Sequence, residues 1–299
     1  AVGSRAMEAN TTGTRNIAIG HGAYDSSDTE NDNIAIGYEA LTTNTAGGIA
    51  NLAIGSYAGD AITSGDKNVC LGHLSGSLID TGNFNICVGE GAGAAINSGT
   101  DNVIVGYQAG NNDRGTTTGR FNVVIGAAAD TSAVGSNNEI AIGYNVDGNG
   151  NNTFAFGNGA NDSAIAFGAT SISAPSDIRL KENISDTTAG LSFINDLRPV
   201  TFNWKKEKDI PEEMKAHKAG SENRYNNDNL NHGFIAQEVK AVIDNHPEIK
   251  DGFNMWKEDT TDGRQRVADG ALVPMLVKSI QELSAKNDAL LARIETLEG

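Results

Sequence analysis

The sequence is poor in cysteine, proline, tryptophan and positive charge. Its 299 residues include 2 Cys, 5 Pro and 2 Trp, and 38 Asp and Glu outnumber 22 Lys and Arg. Two cysteines cannot form the disulfide framework of a small secreted domain. The net charge of −16 repels phosphate backbones, which argues against a nucleic-acid partner. No apolar run approaches the roughly 18 residues of a membrane-spanning helix, so no membrane insertion is predicted.

The scarce residues are unevenly distributed along the chain. Residues 1–170 contain 29 of the 36 glycines, no proline and no tryptophan, and carry 5 Lys and Arg against 16 Asp and Glu. Residues 171–299 contain all five prolines and both tryptophans. The length allows about two domains, and this shift in composition predicts a domain boundary at 170/171.

The first part is a tandem repeat whose unit reads Asn, apolar, small, apolar, Gly. The glycines that end the units are mostly 17 or 18 residues apart: Gly20, Gly37, Gly55, Gly72, Gly89, Gly106, Gly126, Gly143, Gly157 and Gly168. A short period sustained over about 150 residues predicts a mainly β repeat solenoid of the trimeric β-roll or β-helix type. A disordered Gly- and Asn-rich tract is the alternative, which the strict apolar spacing disfavours.

Each predicted strand has two apolar faces, because its residues alternate between the two sides. One side carries large Ile, Leu, Val or Phe, and the other carries Ala18, Ala35, Ala53, Cys70, Cys87, Ile104, Val124, Ala141, Ala155 and Ala166. We expect a neighbouring chain around a threefold axis to pack on this small side; other coils of the same chain are the alternative. The glycine after each strand is expected to supply a bend or a positive φ. The Asn before each strand is expected to form an amide ladder between coils.

Cysteine and histidine offer little chemistry in this sequence. Cys70 and Cys87 share a repeat position in consecutive units, which allows a disulfide between stacked coils. The favoured interpretation is two small hydrophobic residues in place of Ala. The five histidines are scattered and no phosphate-binding loop is present, so neither a metal site nor a cofactor is predicted.

Residues 171–271 are predicted to form an α+β domain. Residues 191–197 have helical spacing and residues 200–204 alternate as a strand does. Residues 205–231 are charged and polar, which is typical of a flexible insertion. Residues 233–243 begin as a strand or turn and continue as a helix.

Residues 272–299 are predicted to form a coiled coil. Its a and d positions are Val273, Leu276, Ile280, Leu283, Asn287, Leu290, Ile294 and Leu297. A buried Asn287 at an a position would fix register and oligomeric state. Because a single helix with such a stripe is unstable by itself, we expect the helices of a homotrimer to pair here. A helix packed on its own domain is the alternative.

Three ordered motifs lie in the second part: Ser176–Ile184, Gly233–Val239 and Leu272–Leu283. They resemble the endosialidase-type intramolecular chaperone domains at the C-terminal ends of phage tail spikes and tail fibres. The repeats resemble the trimeric β-roll stalks and heads that often precede such domains. The resemblance implies a homotrimeric virion fibre segment that contacts other tail or baseplate proteins upstream. It also implies that the chaperone domain aligns three chains and is then released in the host cytoplasm.

The resemblance further implies single-turnover autoproteolysis. The family's Ser–Lys dyad corresponds to Ser176 and Lys181, the scissile bond to Ser176–Asp177, and Arg179 is a possible supporting residue. A serine hydroxyl needs a base to become a nucleophile, and a lysine can be that base. Attack by Ser176 on its own carbonyl would need a four-membered ring. A serine of another chain, a water molecule and Asp177 therefore stay open as the attacking group.

The alternative function is a non-cleaving trimeric adhesin. In it the repeats bind a glycan or protein receptor on the host surface, and the C-terminal region is a permanent trimerisation clamp. The two hypotheses differ on whether the chain is cut. A glycan-hydrolysing enzyme is disfavoured, because no pair of carboxylates can be placed across a groove.

Overall fold

The computed structural model describes residues 1–43, 47–111, 118–159, 161–169, 171–250, 253–259 and 262–298. The chain divides into two compact units, Ala1–Leu180 and Lys181–Gly299. The composition-based boundaries at 170/171 and 271/272 stay predictions. Within the described ranges no helix has the length and apolar character needed to cross a membrane.

Unit 1 is a β-solenoid built from very short strands. They are β1 Ile17–Ile19, β2 Ile34–Ile36, β3 Leu52–Ile54, β4 Val69–Leu71, β5 Ile86–Val88, β6 Val103–Val105, β7 Val123–Ile125, β8 Ile140–Tyr144, β9 Thr153–Asn158 and β10 Asn161–Ala166. Strands β1 to β9 pair in parallel, and each repeat residue lies beside its equivalent in the next coil. The predicted mainly β repeat solenoid is therefore confirmed.

The small side of each strand faces the interior of the solenoid. The small-side residue of each strand from β1 to β9, which lies between two large apolar residues, is almost completely buried within the single chain, from Ala18 to Ala155. These residues pack against alanines and isoleucines of the turns of the same solenoid, such as Ala23, Ala40, Ile62 and Ile79. The expectation that a neighbouring chain covers the small side is thus wrong, and the alternative, coils of the same chain, is correct.

The last repeat unit does not form another parallel coil. Strand β10 pairs with β9 antiparallel, so that Ala164 lies opposite Ala155. Ala164 is buried, whereas Ala166, which the repeat places on the small side of the strand, is exposed. Eleven residues separate Gly157 from Gly168, compared with 17 in most units, which is too short a segment to complete a coil. The chain instead reverses in a hairpin.

The repeated Asn side chains form a hydrogen-bonded ladder inside the solenoid, as predicted. Each Asn Oδ1 accepts a hydrogen bond from the backbone N–H of the equivalent residue one coil further on, at 2.8–3.3 Å. The members are Asn16, Asn33, Asn51, Asn68, Asn85, Asn102 and Asn122, and the backbone N–H of Glu139 ends the series. From Asn33 onward the amides are buried. Satisfied buried amides fix the stacking of one coil on the next.

The glycine after each strand has a positive φ, as predicted. Gly89 has a φ of +128°, and a Cβ placed on it would lie 2.5 Å from the carbonyl oxygen of Gly106 in the next coil. The same close approach repeats from Gly20 to Gly143. Both the backbone conformation and the coil spacing therefore require glycine.

Replacing Gly89 with alanine is expected to lower the free energy of unfolding by at least about 4 kcal/mol, because the Cβ adds a clash with backbone to the cost of the positive φ. Gly150→Ala is the matched control. Gly150 also has a positive φ, of +96°, but no atom lies within 4 Å of its Cβ position, so a loss of about 1–2 kcal/mol is expected. Urea midpoints at a fixed chain concentration measure both, and equal losses would show that coil spacing imposes no constraint.

Cys70 and Cys87 are neighbours across β4 and β5. Both are free thiols and both are fully buried, in the column that alanine occupies elsewhere. Hydrogen bonding to Cys70, together with burial, raises the pKa of Cys87 well above its ordinary value. The two residues act here as small buried hydrophobic side chains.

Unit 2 is a small α+β domain that ends in a long helix. Its elements are α1 Leu191–Asp196, β11 Val200–Phe202, β12 Asn231–Gly233, α2 Ala236–Asn245, β13 Trp256–Glu258, β14 Gln265–Val267 and α3 Val273–Glu298. Strands β11 and β12 pair antiparallel, as do β13 and β14. The core is formed by Ala189, Phe193, Leu197, Val239, Ile243, Ile249, Met255, Leu272 and Met275.

The charged segment 205–231 is tied together by ion pairs, although the sequence predicts a flexible insertion. The buried carboxylate of Glu207 accepts hydrogen bonds from Lys218 at 2.6 Å and from Ser221 at 2.7 Å. Hydrogen bonds from Lys206 and Lys208 lower the pKa of Glu222 to about 2. Charge in this segment is thus used for internal pairing as well as for solvation.

Candidate functional site

The predicted cleavage segment lies on the surface of the single chain. All residues from 171 to 188 are exposed. Ser176 lies near the end of unit 1, and Lys181 is the first residue of unit 2. Between them, Ile178–Leu180 form one turn of 3-10 helix, in which the Leu180 N–H donates to the Asp177 carbonyl oxygen at 3.1 Å. The predicted dyad therefore flanks a short turn.

Asp177 and Arg179 form a two-pronged ion pair beside the predicted scissile bond. The Arg179 Nη2 donates to Asp177 Oδ2 at 2.6 Å, and its Nε donates to Oδ1 at 3.0 Å. The backbone N–H of Arg179 donates to the same Oδ1 at 2.9 Å. These hydrogen bonds lower the pKa of Asp177, which keeps the carboxylate ionised. In this arrangement Arg179 orients Asp177.

Large apolar side chains on the same segment are also exposed. Ile178 and Leu180 are each 72% exposed and Ile184 is 65% exposed. A lysine that acts as a general base must be shielded from water, so that its neutral form is accessible. The segment around Lys181 is exposed to water in the single chain.

The predicted zipper stripe of α3 is exposed along its whole length. Val273, Leu276, Ile280, Leu283, Leu290, Ile294 and Leu297 are between 43% and 78% exposed, and Asn287 is exposed as well. Helix α3 has 26 residues, about 39 Å at 1.5 Å per residue. Its C-terminal half, from Leu283 onward, makes no buried contact in the described chain. The stripe is therefore free to meet other helices.

A different face of α3 attaches the helix to its own domain. Met275 and Ser279 on this face are buried, as is Leu272 just before the helix, and Leu272 and Met275 belong to the core of unit 2. The carboxylate of Glu282 accepts a hydrogen bond from the Leu191 N–H at 2.9 Å, at the start of α1. The sequence does not predict this cap, because Glu282 lies 91 residues after Leu191. The base of α3 is thus packed on its domain while the a and d stripe stays outside.

His246 connects α1 with the segment that follows α2. Its Nε2 lies 2.8 Å from Asp196 Oδ2 at the end of α1, and its Nδ1 lies 2.9 Å from Glu248 Oε1. The ring also packs edge-on against Phe193. Hydrogen bonds to Glu248 and Asp196 raise the pKa of His246, and the hydrogen bond from His246 lowers the pKa of Glu248. Sequence analysis did not single out this triad, in which the imidazole is buried and the two carboxylates lie at the surface.

We expect unit 2 to lose stability as the pH rises above about 6.5. The pKa of His246 in the folded state is raised above that ordinary value. The stabilisation that protonated His246 gives to the fold is therefore complete below about pH 6.5 and is lost as the pH rises through the folded-state pKa. The pKa of Glu248 is lowered in the folded state, so the stabilisation by its carboxylate is present above about pH 4.5 and is lost as the pH falls through the lowered pKa. Thermal unfolding of wild type and His246→Gln between pH 4 and 8 measures this, and an equal pH slope for both proteins would contradict it.

Within the described ranges no group of three or more His, Cys, Asp or Glu side chains is placed to hold a metal ion.

Residues 176–246 match the family model described as chaperone of endosialidase. Over this stretch the chain is similar to chaperone-of-endosialidase domains. The match starts at Ser176 and covers α1, β11, β12 and α2. Together with the β-solenoid of unit 1, the domain fits a phage tail spike or tail fibre that carries its chaperone at the C-terminal end, and the family is classed among the peptidases. No curated protein and no solved structure gives a significant match to the chain.

Proposed function

We propose that this chain is a phage tail fibre or spike segment whose chaperone-of-endosialidase domain drives assembly of a homotrimer and then cleaves itself off at Ser176–Asp177. The mature fibre would comprise residues 1–176, and the released chaperone residues 177–299. In this proposal the fibre contacts other tail or baseplate proteins upstream, and release occurs in the host cytoplasm after assembly.

The exposed stripe on α3 carries this proposal. A 26-residue helix with seven large apolar side chains in water gains little stability alone. Pairing of the a and d side chains with those of other copies would bury them. Because the base of α3 is packed on its own domain, pairing of the helices would also bring the domains together.

The zipper alone does not specify three chains. Val273, Ile280 and Ile294 at a positions with Leu at every d position favour two strands in parallel coiled coils. Val277 and Leu291, both about half exposed, extend the apolar face into e positions and broaden the contact. The trimeric state is thus proposed from the resemblance to the family, and contacts outside the coiled coil would have to select three chains over two.

Exposure of residues 171–188 supports coupling of cleavage to assembly. Ser176 cannot reach its own carbonyl in a reasonable ring, so a hydroxyl from another chain would solve the geometric problem. Packing of neighbouring chains over Ile178, Leu180 and Ile184 would also shield Lys181 from water and favour its neutral form. Cleavage would then wait until three chains are correctly joined.

A parallel solenoid benefits from such a helper. Its parallel strands pair with residues 14 to 20 positions away, and every coil resembles the next, so slipped registers compete with the correct one. A coiled coil raises the local concentration of chains and sets their alignment first. After release of the helper, the rod would be protected by a kinetic barrier to unfolding.

The mass and oligomeric state of the purified protein test the proposal. Light scattering under native conditions is expected to give three chains, and denaturing mass spectrometry is expected to give two fragments that end and begin at Ser176 and Asp177. Trimers in which every chain keeps its 31.1 kDa mass would contradict autoproteolysis and favour the permanent clamp of a non-cleaving adhesin. A stable monomer would contradict both.

A further inference from the structure

The outer side of the solenoid sheet is apolar from β1 to β9. Each strand from β1 to β9 places two large apolar side chains there, one on either side of the buried middle residue. Ile17, Ile19 and Ile86 remain 40–47% exposed. The sequence is 20% charged, yet no charged or polar residue occupies these two columns. We call this surface the outer sheet face.

We propose that the outer sheet face is the surface through which copies of this chain contact one another along the fibre. The inference rests on the proposed trimer and goes beyond it, because it assigns the contact to a particular side of the solenoid. It also reverses the sequence-based expectation, in which the small side faced the neighbouring chain.

The size of the face suits such a contact. Nine three-residue strands measure about 10 Å by about 40 Å, or roughly 400 Å². Apolar patches of this size on soluble proteins are often functional. In a threefold assembly the three faces would be shared among three pairwise contacts, about 400 Å² each, so the outer sheet face would supply part of a stable interface and the pairing of α3 the rest.

The repeat identifies the partner as a second copy of the same solenoid. The apolar pairs recur once per coil, at the spacing of adjacent strands, about 4.8 Å. Only a partner with the same rise per coil can contact the apolar pair of every coil over about 40 Å without losing register. Another copy of this chain has the same rise because it has the same sequence.

Charge favours the same assignment. Residues 1–170 carry 5 Lys and Arg against 16 Asp and Glu, so copies of unit 1 repel each other in most orientations. The outer sheet face carries no charge and is the side on which close approach costs least.

Thiol labelling of two single-cysteine additions tests the inference. In Ile86→Cys the thiol lies on the outer sheet face, and in Leu78→Cys it lies on the turn that precedes it; the native side chains are 40% and 59% exposed. Cys70 and Cys87 are fully buried, so the parent protein serves as the blank. In material that light scattering identifies as trimeric, we expect a maleimide to label position 86 at least about tenfold more slowly than position 78.

A charged substitution gives an independent measurement. Ile86→Lys leaves its ammonium in water in a single chain but would bury three of them in a trimer. We expect it to lower the urea midpoint of trimer dissociation relative to Leu78→Lys, which has the same charge on the more exposed residue.

The outcomes separate this inference from the proposed function. Trimers in which positions 86 and 78 label at similar rates, with equal urea midpoints for the two lysine variants, would overturn the assignment of the face and leave the trimeric chaperone intact. A wild-type protein that is monomeric would overturn the proposed function and the assigned face together. Protection at position 86 within trimers supports both.

Discussion

Leu290→Lys is expected to weaken trimer formation by more than about a thousandfold. Leu290 is a d position of α3 and is 58% exposed in the single chain, so a lysine there costs the monomer almost nothing. In a trimer the substitution removes three buried leucines, each worth about 1.5–3 kcal/mol. A combined loss of at least about 5 kcal/mol corresponds to that change in the association constant.

Ala292→Lys is the matched control for this substitution. Ala292 lies two residues further along the same exposed helix, at the f position that faces away from the a and d stripe. Sedimentation or light scattering across a dilution series measures the association of both variants. If the two lysines weaken association equally, the stripe is not an interface, and the coiled-coil assignment fails while the helix itself stays intact.

Ser176→Ala is expected to reduce the cleavage rate by at least about a thousandfold, as loss of the nucleophile does in other serine hydrolases. Lys181→Met is expected to act similarly, because the hydroxyl then lacks its base. Both side chains are exposed in the single chain, so neither change should alter folding. Mass spectrometry of the assembled trimer over time measures the fraction of uncut chains.

Ser185→Ala is the control for Ser176→Ala, since Ser185 lies on the same exposed segment outside the predicted dyad. It is expected to be cut at the wild-type rate. Cleavage of the Ser176→Ala protein at the wild-type rate would remove the hydroxyl from the mechanism and leave a water molecule or Asp177 as the attacking group.

Mixed trimers decide whether the serine acts across chains. Ser176→Ala chains with a distinguishing tag can be co-assembled with untagged wild-type chains. Attack from a neighbouring chain predicts that tagged chains are cut in mixed trimers and stay whole in pure ones. Tagged chains that stay whole in both would place the reaction within one chain.

Periodic features were the most predictable part of the fold. The recurrence of Asn and Gly every 17 or 18 residues indicated the solenoid, the buried amide ladder and the positive φ after each strand, because a repeated local geometry leaves a repeated residue requirement. The helix at 191–197 and the helix that follows residue 233 were also readable, since their apolar spacing is local. The a and d positions of α3 followed from the same kind of spacing.

The orientation of the strands was not readable in this way. Both sides of each strand are apolar, so alternation alone does not tell the inside from the outside. The small volume inside each coil determines which side faces inward. A Cβ on Gly76 would lie 2.6 Å from the sulfur of Cys70, so the interior has no room for the large side chains of the strands. The large side chains must therefore point outward, where they form the outer sheet face.

The candidate site was also predictable only in part from the sequence. Sequence motifs placed Ser176, Asp177, Arg179 and Lys181 on one short segment, but not the pairing of Arg179 with Asp177 or the exposure of that segment to water. The cap that Glu282 provides for α1 and the triad around His246 join residues 91 and 50 positions apart, and no local pattern encodes such contacts.

The amino-acid sequence alone determined that this protein has a repetitive β part followed by an α+β part with a long helix, because periodicity and composition act through near neighbours in the chain. Only the tertiary structure decided which side of the sheet is buried, where the last strand reverses, and which face of α3 holds its own domain. Those choices depend on the space inside a coil and on contacts between distant segments, and both exist only once the chain is folded.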